Sequence, residues 1–290
     1  MITLELTGGL GNQLFEYAAC YALAQQKKTR LSIYSQAIDD KTRPYVLNHF
    51  NITYDKINQA LGNRLIFLLE GLLKDRVFSD SGIFKLSKFV FYKEKNQYAR
   101  RYNKDLVNCT GKNVWISAWL QDYRYFDGMY EEIQNEFSVK PESISTKARE
   151  LAEKILKNNM KYCAVHIRAG DYADWKGWML PKSFFGFALN EMKARNLELL
   201  VFCEDIAYAR DVLGEGYNAT YLAEYSLTDI EEFYLMSLCK NIVVSNSTFS
   251  WWAAYLNRNI TKKVFAPVYH QWVQEWYPDA WYRIDVNDFT

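Results

Sequence analysis

From residue 161 to residue 267 the chain repeats one pattern, a short uninterrupted apolar run followed by a helical stretch. The runs are KYCAVHI (161–167), LELLVFCED (197–205), ATYLA (219–223), NIVVS (241–245) and KVFAP (263–267). Strands apolar on both faces must be covered on both faces, and parallel strands need a crossover that a helix supplies. Helices are predicted over 183–195, 206–213 and 248–256, and another opens at Thr228. Glu231, three residues after Thr228, completes a capping-box pattern. This half therefore predicts a parallel sheet wrapped by helices, which takes ligands beyond the carboxyl ends of its strands.

The other half begins in the same way. ITLELT (2–7) reads as a strand, GGLGNQ (8–13) as a tight turn, and LSIY (31–34) as the next strand. A helix is predicted from Asn12 to Lys27, with Leu14, Phe15, Ala18, Ala19 and Ala22 at helical spacing. The stretch 45–110 is irregular and reads as mostly helical, and NVWISAWLQDYRYF (113–126) returns to a strand and a loop. FSVKPESISTKARE (137–150) is polar, carries a proline and leads into a charged helix. The boundary is placed there, giving domains 1–142 and 143–290. A chain of 290 residues, 49% of them apolar, can form two moderate cores.

Charge excludes one class of partner. With 35 basic and 34 acidic side chains there is no excess to form a nucleic-acid-binding face, so any anion must be held by local groups. The five cysteines form no CxxC pair, which fits reduced thiols in a cytoplasmic protein better than a disulfide framework. MITLELTGG has no basic leader before an apolar stretch. LIFLLEGLL (65–73), broken by Glu70, is too short to span a membrane and reads as a core helix. A peripheral contact with the inner face of the membrane is the second reading, kept by Lys74, Arg76, Lys85 and Lys88.

The chemistry gathers at strand ends. TGGLGNQ (7–13) puts Gly9 and Gly11 where backbone amides can approach an anion, with Asn12 and Gln13 beside them. It is neither a GxGxxG nor a Walker turn, and a plain tight turn reads equally well. VSNSTFSWW (244–252) places Asn246, Ser247, Thr248 and Ser250 at a helix start, where an anion would meet free amides and partial positive charge. Ordinary capping would need only one of these side chains. In VHIRAGDY (165–172), His166, Arg168 and Asp171 follow a buried strand. Arg168 must be paired, either with Asp171 or with a diphosphate that leaves Asp171 free for acid–base work. VFCED (201–205) ends in Glu204 and Asp205, acceptors for a ribose or base edge, with helix capping the alternative for Asp205. An arginine, an anion cradle and an acid pair on one sheet describe a nucleotide-diphosphate site. No metal is expected, because His49, His166 and His270 lack ligand spacing. The aromatic tail YHQWVQEWYPDAWYRI (269–284) reads as filling between the domains, with sugar stacking the alternative.

GGLGNQLFEYA, LQDYRYFD, HIRAGDY, VFCED and NSTFSWWAAYL occur in that order between residues 8 and 256. They resemble the motifs of the bacterial α-1,2-fucosyltransferases of glycosyltransferase family eleven. The resemblance implies an α/β fold of the GT-B type, two Rossmann-like domains facing across a cleft. The N-terminal domain would take the acceptor and the C-terminal domain GDP-β-L-fucose. It implies inverting transfer of fucose to the 2-hydroxyl of a terminal galactose-type sugar, in an oligosaccharide or a lipid-linked glycan, with no cofactor and no metal. Arg168 would hold the β-phosphate, His166 would lie near the nucleoside, and Asn246, Ser247, Thr248 and Ser250 would face the phosphates. Glu204 and Asp205 would face ribose or guanine, and the glycine turn would close over the diphosphate. Asp171 is the candidate base, or else it orients Arg168. The family usually carries two adjacent arginines in this motif, whereas the second position here is Ala169. The donor assignment therefore rests on Arg168, and the departure bears on the acceptor.

Overall fold

The computed structural model describes residues 1–35, 44–56, 81–86, 89–94, 102–158, 161–174, 177–270 and 272–289. They form two compact units, Met1–Ser138 and Val139–Thr290, divided within the polar 137–150 stretch. The LIFLLEGLL stretch lies outside the described residues.

The first unit contains β1 (Ile2–Leu6), α1 (Leu10–Gln26), β2 (Leu31–Ser35), β3 (Asp55–Lys56), β4 (Ser81–Leu86) and β5 (Phe89–Glu94). α2 (Lys104–Val107), β6 (Asn113–Ser117) and α3 (Tyr130–Glu136) follow. The sheet order is β3-β2-β1-β6-β5-β4, and β4 runs antiparallel to β5. Where 45–110 is described, the mostly helical expectation is corrected by β3, β4 and β5, while 57–80, 87–88 and 95–101 lie outside the described residues. β5 is a buried strand, with Val90 and Tyr92 at 3% and 1% exposure. A short apolar run of this kind has no periodicity that separates it from a buried helix. α1 also begins earlier than expected, with Gly9 as its N-cap, so Gly11 and Asn12 are helical.

The second unit carries α4 (Thr146–Lys157), β7 (Tyr162–Ile167), α5 (Lys182–Glu191), β8 (Glu198–Cys203), α6 (Ile206–Leu213) and β9 (Asn218–Tyr221). It continues through α7 (Asp229–Leu238), β10 (Asn241–Val243), α8 (Thr248–Leu256), β11 (Lys263–Val268) and β12 (Tyr282–Asp285). The order is β12-β11-β10-β7-β8-β9, and every pairing is parallel. Counted within the unit this is 6-5-4-1-2-3, the order of doubly wound dinucleotide-binding sheets. The expected α/β class is what the chain forms. β12 was not anticipated, because a short edge strand with Tyr282 half exposed lacks an apolar run.

Local chemistry fixes the helices. The Thr228 side chain accepts from the Glu231 amide, and Glu231 accepts in return from the Thr228 amide at 2.9 Å, closing the predicted capping box. Glu231 also accepts from the Ser145 amide at 2.8 Å, which ties α7 to the start of α4. α8 is wrapped in aromatic rings. Trp251 stacks on Tyr255 at 4.8 Å and contacts Trp276 and Trp281, and its indole donates to the Trp276 carbonyl at 3.2 Å. Trp272, Trp276, Tyr277 and Trp281 are all at most 5% exposed. The tail therefore packs against α8 of its own unit, which leaves these four rings no face for a sugar.

Candidate functional site

In the second sheet the strand order reverses between β7 and β10, the position at which doubly wound sheets take ligands. The residues leaving those two strands are Arg168 and its neighbours, and Ser245 through Thr248 at the head of α8. Their proximity follows from the parallel pairing of β7 with β10 in the register Val165↔Val243.

His166 is 5% exposed, with Nδ1 hydrogen-bonded to Ser245 Oγ at 2.8 Å and its ring 5.6 Å from that of Phe249. Burial first, and then the Arg168 charge, push its pKa down to about 3. The imidazole is therefore neutral at physiological pH. It braces the junction of the two strands.

Arg168 is ion-paired with Glu204 at the end of β8. The other Glu204 oxygen accepts from the Ala169 amide at 3.3 Å. β7 and β8 are parallel with Ile167↔Cys203 in register, so the next residues on each strand lie close together. Sequence reasoning offered Asp171 as the partner and missed Glu204, because only strand pairing reveals it. The Asp171 backbone belongs to a 3-10 turn, Gly170–Asp174, and its side chain lies outside the described residues. Asp205, expected near ribose or guanine, is instead the N-cap of α6 and accepts from the Tyr208 amide at 2.9 Å. A carboxylate one residue before a helix finds free amides at hand.

The polar surplus at α8 divides into roles. Ser247 caps the helix, its Oγ accepting from the Phe249 amide at 3.3 Å. Ser250, fully buried, accepts from the Ser245 amide and donates to the Ser247 carbonyl, both at 3.3 Å. Its hydroxyl builds the turn, which corrects the expectation that it faces phosphates. Asn246 Nδ2 donates to the Trp178 carbonyl at 2.8 Å, and the Asn246 carbonyl accepts from Tyr172 at 3.0 Å. Thr248 is half-buried at the first helical position. At the far end, Lys262 Nζ donates to the carbonyls of Ala254, Tyr255 and Asn257 at 2.9, 3.3 and 2.8 Å. Burial lowers its pKa to about 8. A cation on the last carbonyls complements the helix dipole, whose positive end lies at Ser247 and Thr248. The arrangement is suited to an anion carrying more than one charge.

The glycine turn of the first unit is held from within. Gly8 has φ +69°, and a Cβ there would stand 2.7 Å from Asn12 Nδ2 and 2.8 Å from Trp119. Gln13 is fully buried, donating to the carbonyls of Gly8 and Pro44, each at 2.8 Å, and accepting from the Val46 amide at 3.1 Å. It is a clamp and not a ligand group, a correction that follows from its carboxamide being spent on backbone. Glu16 accepts from the amide and hydroxyl of Thr7, each at 2.8 Å, and burial raises its pKa well above the usual range. Asn12 accepts from Gln121 at 2.8 Å. Gly9 caps α1, while Gly11 is buried inside it, so the turn itself is confined to Gly8 and Gly9.

Among the described residues no group of three or more His, Cys, Asp and Glu side chains is placed to hold a metal. No described helix is long and apolar enough to cross a membrane. All five cysteines are free and buried.

Comparison with known proteins places the chain in a family. The model of the family described as glycosyl transferase family 11 matches residues 1–285. The O-antigen biosynthesis glycosyltransferase WbnK of Escherichia coli is 29% identical over 90% of this chain and 92% of its own. An alpha-1,2-colitosyltransferase of Escherichia coli is 26% identical over 98% and 99%. Galactoside alpha-(1,2)-fucosyltransferase 2 of Hylobates lar is 24% identical over 88% and 69%. In three dimensions the chain is similar to a mutant of Arabidopsis thaliana FUT1 in complex with GDP, at TM-score 0.53 and 11% identity over 88% of this chain and 68% of that one. That likeness shows the fold.

Proposed function

This chain belongs to glycosyl transferase family 11 and is a glycosyltransferase of the GT-B type, and from that premise we propose that it transfers L-fucose from GDP-β-L-fucose, with inversion. The acceptor is the 2-hydroxyl of a terminal galactose-type sugar in an oligosaccharide or lipid-linked glycan. The observation that carries the reading is that Arg168 follows β7 and the start of α8 follows β10, the two adjacent strands between which the order of a doubly wound sheet reverses. The α-1,2 linkage named for two relatives, one bacterial and one from a gibbon, supports the linkage.

In this reading Arg168 and the first amides of α8 neutralise the departing diphosphate, worth about 3–4 kcal/mol of barrier per well-placed donor. Asp171 takes the proton of the acceptor hydroxyl, and holding both sugars in line lowers the barrier further. His166, buried and neutral, keeps the strand ends in place. The acceptor is held by the first unit, and no metal takes part.

A second reading concerns the sugar. The colitosyltransferase is more similar to this chain than the gibbon fucosyltransferase, so the same α-1,2 transfer from a donor carrying another sugar is the alternative.

Thermal-shift titration with GDP, UDP, ADP and GDP-sugars tests the nucleotide, and a product assay with GDP-fucose and galactosides tests the transfer. Arg168→Ala should abolish transfer in a folded protein, and normal turnover there would end the proposal. Asp171→Asn should bind GDP yet not turn over, and unchanged turnover would remove the base assignment.

A further inference from the structure

Resting on the reading of Arg168 as the group that grips the diphosphate, we propose that Tyr172 is a positioning residue that aims Arg168 and fastens the β7 end of the site to the head of α8. The Tyr172 ring centroid stands 5.3 Å from the Arg168 guanidinium carbon, within cation–π range. The hydroxyl of the same side chain donates to the Asn246 carbonyl at 3.0 Å, on the residue just before the cap of α8. One side chain thus touches both anion-holding elements.

The local backbone brings the ring back over Arg168. Gly170 takes φ +37°, and the Tyr172 amide donates to the Ala169 carbonyl at 2.7 Å, closing the turn. Trp178 supports the ring from another side, edge-to-face at 5.4 Å, and its carbonyl accepts from Asn246 Nδ2 at 2.8 Å. Arg168, Tyr172, Trp178 and Asn246 therefore form a connected cluster across the point where the strand order reverses.

A ring suits this task for a physical reason. A second carboxylate would compete with the diphosphate for the guanidinium N–H groups. An aromatic face attracts the cation without itself taking any of its N–H donors. Glu204 takes one guanidinium N–H for itself, and the ring limits the directions in which the cation can turn.

Calorimetric titration with GDP and with guanosine, on the wild type and on Tyr172→Leu, Tyr172→Phe, Arg168→Met and Tyr172→Leu/Arg168→Met, tests the assignment. Tyr172→Leu should weaken GDP binding about tenfold and leave guanosine binding unchanged, because the ring acts through the phosphate-binding group. Tyr172→Phe, which keeps the ring, should lose about threefold. In the Arg168→Met background the leucine substitution should add only the about threefold loss of the hydroxyl contact. Unchanged GDP affinity in Tyr172→Leu, or an equal loss in both backgrounds, would overturn the proposal. If the leucine variant shows no cooperative melt, Tyr172→Phe decides: equal loss of GDP and guanosine refutes the role, and loss confined to GDP sustains it. Failure of the underlying reading looks different, since Arg168→Met would then bind GDP as tightly as the wild type.

Discussion

Arg168 and Glu204 are ion-paired across the ends of two adjacent parallel strands, with the second Glu204 oxygen on the Ala169 amide. The two side chains are 25% and 41% exposed, so the pair is screened and contributes about 0–1 kcal/mol to stability. Glu204→Gln should leave the melting temperature nearly unchanged. By removing an anion that competes for Arg168 it should also tighten GDP binding about threefold, read by calorimetry. A tenfold loss instead would place Glu204 on the nucleoside, as the family resemblance implies.

Ser245 is the partner of a buried, neutral imidazole. Ser245→Ala leaves His166 Nδ1 without that partner and should destabilise the protein by about 1–3 kcal/mol in chemical denaturation. With the His166 pKa near 3, no inflection in the transfer rate between pH 5 and pH 8 should vanish in a His166→Gln variant.

Gly8 is committed to positive φ, and a methyl group there would collide with Asn12 and Trp119. Gly8→Ala should cost about 2 kcal/mol or more, because it adds backbone strain to a contact that side chains must move to relieve. Denaturant midpoints measure the loss, and a stable Gly8→Ala protein would show the turn to be softer than its geometry requires.

Glu232, on α7, has a pKa raised to about 7, first by burial and then by Asp229. A carboxyl group whose folded pKa lies above its unfolded value favours the folded state when protonated. Wild-type stability should therefore fall as pH rises from about 4.5 to about 7, with the full cost present above that window. Glu232→Gln should stabilise the protein by about 1–2 kcal/mol at pH 8 and by little at pH 4, seen in melts at both values. An equal effect at the two pH values would mean that the carboxyl is not perturbed by burial.

The legibility of the chain follows the range of its interactions. α8 begins and ends where the sequence places it, and the Thr228–Glu231 capping box forms as read, because caps and helical spacing depend on residues a few positions apart. β7, β8 and β11 are legible because burial on both faces demands an unbroken apolar run. β12 and the β4–β5 pair are not, since an edge strand needs no such run and a short buried one carries no distinctive period.

Sequence alone determined the residue types at each strand end: a guanidinium, an imidazole, a run of hydroxyls and an acid pair. Only the tertiary structure decided which of them meet. Glu204 reaches Arg168 through strand register, Tyr172 reaches Asn246 across the sheet, and Gln13 is spent on Pro44 and Val46. A hydrogen bond or ion pair is short-ranged, so its partners are set by how the backbone pairs, and pairing between distant segments leaves no local mark on either one.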